Sequence, residues 1–368
     1  MKVLFDTQIF ILQKHGGISR LFSELYREYT MQDYGIEAFM PAFYADNMHA
    51  NEYNLPQRIL FTTGHFKGKT RFAKAFNNYS FRKSIKRINP DLIHPTYYEY
   101  PFNMLSSIPF VITVHDMIHE KFASTFFFHD KNTSEYKKKL AISARRIIAV
   151  SKATKNDLIE CFNIDPSKID VVYHGNSMVI ENFLYSKEGV LNKPYILFVG
   201  QRSLYKNFLT FIKGCAPILN KYDLDLLCVG GGNFTNIELE QCNKLGILKR
   251  VHQLTLNDKQ LRVAYKNAIA FVFPSLYEGF GIPLLEAFSQ GCPIIASDIP
   301  VFREIAGDAA LYCDPGSYES IEHAIEQMIS NEAMRQKYIL KGKNKIKEYS
   351  WSRCALQTAN VYKKALED

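Results

Sequence analysis

The chain has 368 residues, 47% of them hydrophobic and 22% charged, with a formal charge of +8. That length is too great for one ordinary core and suits two domains of roughly 180 residues each. No apolar stretch approaches the ~20 residues of a membrane span, the opening Met1-Lys2-Val3-Leu4-Phe5-Asp6 reads as a strand running into an acid rather than a signal peptide, and the seven cysteines are odd in number without C-x-x-C spacing, so neither a disulfide framework nor a zinc knuckle is indicated. A soluble globular protein of the cytoplasm is expected.

Residues 2–5 open as a strand, and Gln13-Lys14-His15-Gly16-Gly17-Ile18-Ser19-Arg20 turns into a helix running through Leu21, Leu25 and Tyr29. Strand, glycines and helix form a phosphate cradle in outline, although Gly16-Gly17 alone does not decide it. Residues 66–88 hold eight Lys and Arg and no acid, interleaved with Phe66, Phe72, Phe76, Tyr79 and Phe81. Such a helix suits an anionic membrane surface or an anionic acceptor; a solvated helix with its aromatics in the core would read the same way. No nucleic-acid motif accompanies it. Further strands read at 35–40, 91–94, 110–114 and 146–150, with helical patterns between several of them. The alternation implies a parallel sheet covered on both faces, whose ligands gather at the carboxyl ends of the strands. His94, the pair His115-Asp116, and Ser151 stand at such ends. His115 and His119 are four apart, but no glutamate follows the first and its surroundings are strand-like, so a metal site is not expected. Ser151 reads as a helix cap. The polar stretch 188–194, with Gly189 and Pro194, reads as a linker.

A new strand begins at 195–200, followed by Gln201-Arg202-Ser203-Leu204-Tyr205-Lys206-Asn207 and a helix. Arg202 and Lys206 are cations at a strand's carboxyl end, where a diphosphate could be gripped; alone they would be ordinary surface charges. Residues 224–232 give another strand ending in Gly230-Gly231-Gly232. Asp223 and Asp225 stand at its entry, the wrong end for the site, so they read as solvated and no metal is expected. The apolar run 268–273 is a buried strand that Pro274 and Ser275 end. Glu278-Gly279-Phe280-Gly281-Ile282-Pro283-Leu284-Leu285-Glu286 then leads into a helix, with proline in its first turn. Exposed backbone N–H groups, the helix dipole and two glycines make this an anion site. A carboxylate beside a phosphate repels it, so Glu278 and Glu286 suit hydroxyl groups, one of a sugar and one of a ribose. Helix capping and a solvated helix surface are their ordinary readings. The end of the chain is a helix beginning at Trp351, the one tryptophan.

With the run Ala287-Phe288-Ser289-Gln290-Gly291-Cys292-Pro293-Ile294-Ile295-Ala296-Ser297 and Pro300-Val301-Phe302-Arg303-Glu304, the stretch resembles the Glu-x7-Glu motif of retaining glycosyltransferases of the two-Rossmann-domain (GT-B) type, in the group 1, GT4-like family. The resemblance is specific in 198–207 and 268–304 and looser before 190. It implies an α/β fold of two Rossmann-like domains with parallel sheets facing across a cleft, an acceptor domain over 1–187, a nucleotide-sugar domain over 194–350, and a terminal helix over 351–368 packing back on the first. It also implies roles. Arg202 and Lys206 would bind the donor diphosphate, with Gly16, Gly17, Gly279, Phe280, Gly281, Ile282, Pro283 and Leu284 around the donor. Glu278 would position sugar hydroxyls and Glu286 the ribose. His115 would lie beside the reacting sugar, with Asp116 either contacting the acceptor hydroxyl or capping the next turn, and Arg20 either contacting the acceptor or forming a surface ion pair. The reaction implied is hexose transfer, with GDP-mannose the first choice of donor, to a saccharide or lipid-linked saccharide in O-antigen or capsule synthesis, without metal or cofactor. A sugar-nucleotide epimerase and a non-catalytic binding subunit are the alternative readings.

Overall fold

The computed structural model describes residues 1–58, 69–99, 108–127, 130–178, 190–202 and 204–367. Residues 66–68 of the basic stretch, 188 and 189 of the expected linker, and Ser203 lie outside them. The chain divides into two compact units, Met1–Gly175 with Ser350–Asp368, and Asn176–Tyr349.

The first unit carries β1 (Lys2–Phe5), β2 (Glu37–Phe39), β3 (Phe43–Tyr44), β4 (Gln57–Arg58), β5 (Leu92–His94), β6 (Val111–Val114), β7 (Arg146–Ala149) and β8 (Ile169–Val171). Two parallel three-stranded sheets run β2-β1-β5 and β6-β7-β8, and a parallel bridge from Ile93 to Phe110 places β5 beside the start of β6. Val111 to Val114 are all buried, as strands covered on both faces require. The last helix, Trp351–Glu367, belongs to this unit. Tyr29 donates to the Ala355 carbonyl at 2.9 Å, and the Tyr362 hydroxyl lies 2.6 Å from His94 Nδ1. Trp351, Ala355, Ala359 and Tyr362 join one apolar core with Val3, Phe5, Phe22 and Leu25.

The second unit is a single parallel sheet of β9 (Tyr195–Val199), β10 (Asp225–Val229), β11 (Val251–Leu254), β12 (Ala270–Phe273), β13 (Ile294–Ser297) and β14 (Leu311–Cys313), in the order β11-β10-β9-β12-β13-β14. The chain winds outward from β9 in one direction, then returns to start again at β12 on its other side. Between β9 and β12 the connecting loops therefore diverge, and an open α/β sheet binds ligands in the crevice so formed. The loops leaving these two strands hold Arg202, Lys206, Glu278 and the glycines.

Candidate active site

In the second unit the two loops at the crevice are joined to one another. Leu276 N donates to the Tyr205 carbonyl at 2.8 Å. Asn207, in a left-handed conformation at φ 59, donates from Nδ2 to the carbonyls of Pro274 and Pro315 at 3.1 and 2.7 Å. Gly281 sits at φ +98 as the residue before the helix Ile282–Gln290, and a Cβ there would come 3.0 Å from the Phe302 ring. No side chain caps this helix and no acid stands in its first turn, so its N-terminus keeps its positive end for an anion.

Lys206 and Glu278 meet at the crevice. Lys206 Nζ lies 2.6 Å from Glu278 Oε1, with the two side chains 16% and 13% exposed. Ser275 Oγ donates to the same oxygen at 2.7 Å. An ammonium has three N–H donors, so the pairing leaves two for another anion. Glu286 is buried one turn along the helix, and Tyr265 donates to its Oε2 at 3.0 Å. The ordinary reading of Glu286 as a solvated helix residue is thereby excluded.

Arg202 has a structural part that its expected role did not include. It is buried, its Nε donates to Glu238 Oε1 at 3.0 Å, and its two terminal nitrogens donate to the carbonyls of Gly230, Gly232 and Asn233 at 2.8, 2.8 and 2.9 Å. Four of the five guanidinium donors are therefore engaged within the protein. The ring of Phe234 lies under the guanidinium at 4.5 Å. Gly230, Gly231 and Gly232 all have positive φ, and a Cβ on Gly231 would stand 2.8 Å from the guanidinium. Arg202 thus builds the glycine turn after β10, and one of its five guanidinium donors is left over. Glu238 completes the arrangement by capping its own helix, accepting from Thr235 N at 2.6 Å.

In the first unit the residues at the strand ends are mostly buried. His94 contacts Tyr362 through Nδ1 and Thr113 Oγ1 through Nε2 at 2.9 Å, a satisfied core histidine. Burial holds its pKa down at about 3. His115 is also buried, though 8% exposed, and its pKa is also lowered to about 3, by burial first and then by His94 and Lys137. Both of its ring nitrogens lack a hydrogen-bond partner among the described residues. A neutral imidazole in that position offers one donor and one acceptor to whatever enters. Asp116 Oδ1 accepts from Ile118 N at 3.1 Å, so it caps the following turn. His119 lies on the short helix Ile118–Lys121 while His115 precedes it, so the two do not share a helical face. Gly16 and Gly17 stand where the helix Gly17–Met31 begins, and the Gly16 carbonyl accepts from Arg20 N at 3.1 Å and Ser19 Oγ at 3.0 Å. The Arg20 side chain is only 4% exposed, which rules out the solvated surface pair.

A family model described as "Glycosyl transferases group 1" matches residues 182–345, and one described as "Glycosyltransferase Family 4" matches residues 15–176. The O-antigen chain mannosyltransferase RfbU of Salmonella typhimurium is 31% identical over 260 residues, 68% of each chain. This chain belongs to the group 1 glycosyltransferases. The O-antigen chain mannosyltransferase B of Escherichia coli is 27% identical over 256 residues, 64% of this chain and 66% of that protein. Among solved structures, a glycosyltransferase from Rickettsia africae has a TM-score of 0.71 at 17% identity, covering 100% of this chain and 99% of that one. Sucrose-phosphate synthase from Thermosynechococcus elongatus has a TM-score of 0.75 at 18% identity, covering 98% of both. At those identities the likeness shows the fold, which is GT-B.

For this glycosyltransferase the structure adds residues that sequence reasoning passed over. Ser275, Tyr265 and Glu238 bond directly to Glu278, Glu286 and Arg202. Lys137, inside the run 137–139 of three lysines, is wholly buried; its Nζ lies 2.9 Å from Glu120 Oε2 and donates to the Asp116 carbonyl at 3.0 Å. It therefore fixes the turn that carries His115. Asp6 ends β1 with its carboxylate accepting from Thr96 N, Thr96 Oγ1 and Gln8 N, and burial raises its pKa to about 6. The sequence signalled Asp6 by its position at a strand end; nothing in it signalled the other four.

Proposed function

We propose that this glycosyltransferase is a retaining enzyme that moves a hexose from a nucleotide-sugar donor, GDP-mannose in the first instance, to a saccharide or lipid-linked saccharide acceptor in cell-surface polysaccharide synthesis. The observation that carries this reading is the Lys206–Glu278 pair beside an uncapped helix N-terminus that also carries Glu286. Breaking the anomeric C–O bond develops positive charge on the sugar and negative charge on the leaving diphosphate. Lys206 and the N–H groups from Gly279 to Leu284 would stabilise the diphosphate, and Glu278 would hold the sugar hydroxyls. Glu286 would take the ribose. Neutral His115 would hydrogen-bond the sugar or the incoming hydroxyl, with Asp116 and Arg20 on the acceptor side. No group stands out as a nucleophile at the anomeric carbon, so the acceptor attacks on the same face within an ion pair and the leaving phosphate takes its proton. A covalent sugar trapped on Glu278 would overturn that step. The mannosyl choice is supported by the names of the relatives.

The acceptor's lipid carrier fits a further feature. On the helix Lys69–Ile88, Phe76 and Phe81 turn inward, Phe76 lying 4.6 Å from the Tyr44 ring, whereas Phe72 and Tyr79 are 55% and 63% exposed among Arg71, Arg82, Lys83, Lys86 and Arg87. Aromatics flanked by cations without acids suit an anionic lipid surface. Among the described residues no helix is long and apolar enough to cross a membrane. Vesicles containing phosphatidylglycerol should pull the protein down, and the double variant Phe72→Ser, Tyr79→Ser should stay in solution. Equal sedimentation with neutral phosphatidylcholine would remove the membrane role.

The transferase reading is tested by titrating GDP-, UDP-, ADP- and dTDP-hexoses into the protein without added metal, with Glu286→Ala in parallel. One donor should bind and be slowly hydrolysed, and the variant should lose both. Conversion of a donor to its epimer with no acceptor present would favour an epimerase, and binding without turnover a non-catalytic subunit.

A further inference from the structure

Both glutamates of the donor loop are held by hydroxyl groups that come from elsewhere. Ser275, wholly buried just after β12, and Lys206 both bond to Glu278 Oε1. Glu278 Oε2 has no hydrogen-bond partner among the described residues and is not fully buried. Tyr265, buried on the helix Asp258–Asn267, bonds to Glu286 Oε2. A terminal carboxylate torsion is broad and nearly two-fold, so an unrestrained Glu278 would sample many orientations. Two donors on one oxygen fix the plane and thereby the direction of the other oxygen.

Lys206 and Ser275 are not equivalent in this task. Lys206 is a point charge on a flexible stem, and a diphosphate entering the crevice draws it away from Glu278. The Ser275 hydroxyl is neutral and buried, and a diphosphate exerts no such pull on it. We propose that Ser275 is the positioning residue of the sugar end of the donor site: it keeps Glu278 aimed at the sugar hydroxyls once Lys206 has turned to the diphosphate. Tyr265 does the corresponding work at the nucleoside end through Glu286. The inference rests on the transferase reading given above.

The two ends can be separated by ligand. The full-length protein, Ser275→Ala and Tyr265→Phe are titrated with GDP and GDP-mannose, then with the UDP, ADP and dTDP pairs. Ser275→Ala should weaken the sugar nucleotide by about tenfold, the size of one hydrogen bond to a charged group, and leave the bare diphosphate within about twofold. Tyr265→Phe should weaken both members of the pair alike. Ser275→Thr, which keeps the hydroxyl, should recover most of the lost affinity. A merely structural role for Ser275 would lower both ligands together, and that result, or no change in either, overturns the proposal. If the unmodified protein binds no pair at all, the transferase reading fails and the proposal falls with it; if it binds one and Ser275→Ala does not separate the two ligands, only the proposal fails.

Discussion

The two units answer the same architectural problem differently. In the Asn176–Tyr349 unit one six-stranded sheet carries its crevice loops already joined, with Arg202 bonded to three carbonyls of the glycine turn and Lys206 and Ser275 both bonded to Glu278. In the other unit the strands fall into smaller sheets, and His115 has no partner for either ring nitrogen among the described residues. A turn already fixed by its own bonds would suit the diphosphate proposed for this site, since less of the frame has to be ordered when a ligand arrives. Groups left without partners inside a protein carry a cost that a bound hydroxyl would relieve, as an acceptor saccharide could.

The comparison is broken most severely at Arg202. Arg202→Met leaves Glu238 and three carbonyls without their donor, and should lower the stability of its unit by about 3 kcal/mol while removing measurable nucleotide binding. Denaturant unfolding and ligand titration would check this; intact binding would show that the turn does not need its guanidinium. Lys137→Met is the counterpart in the first unit, where Lys137 and Glu120 side chains are 1% and 6% exposed. A loss of about 3 kcal/mol is expected there too, but nucleotide affinity should stay unchanged because the lesion lies in the other unit. A fall in that affinity would mean that the units are energetically coupled.

Acid should sharpen the contrast with a smaller effect. His94, His115 and His174 all have pKa values lowered to about 3 by burial, and all lie in the first unit. The unfolded chain binds protons at these histidines from about pH 6.5 downward while the folded unit does not, so stability is complete above that pH and is lost as the pH falls toward 3. Asp6, raised from 3.8 to about 6, has the opposite sign: its folded form takes up a proton first, so between those values its contribution improves as the pH falls. Three histidines outweigh one aspartate. In the second unit the carboxylates with lowered values, such as Asp223, Asp298 and Asp308, are on the surface, where pairing contributes little. Trp351 lies in the first unit, so its fluorescence reports that unit alone. On acidification its emission should shift before the helical circular dichroism falls; coincident transitions would sink the argument.

The fold was readable because its strands are buried on both faces and so appear as short apolar runs, as at 195–199 and 270–273, punctuated by glycine and proline. The loop from Glu278 to Glu286 was readable for the same reason, since its conformation is written in local residues. The structural part of Arg202 was not legible, because most of its acceptors are backbone carbonyls 28 to 31 residues further along, which no side-chain pattern announces. Lys137 resembles its two lysine neighbours in every local respect, and only tertiary packing distinguishes it. Ser275 and Tyr265 are ordinary residues whose importance comes from the carboxylates they touch.

The first unit is made of two chain segments, and its core includes the helix Trp351–Glu367. On the ribosome, residues 1–175 emerge long before that helix, so the core around Phe5, Phe22 and Leu25 must wait without the part of its cover that Trp351, Ala355, Ala359 and Tyr362 supply while the whole of the second unit is made. The contacts from Tyr29 to Ala355 and from His94 to Tyr362 close chain separations of 326 and 268 residues. Closures of that span form late and leave sticky intermediates exposed. The later-synthesised unit can therefore finish folding first, and nascent chains arrested before residue 350 should be prime clients for chaperones that recognise apolar surface.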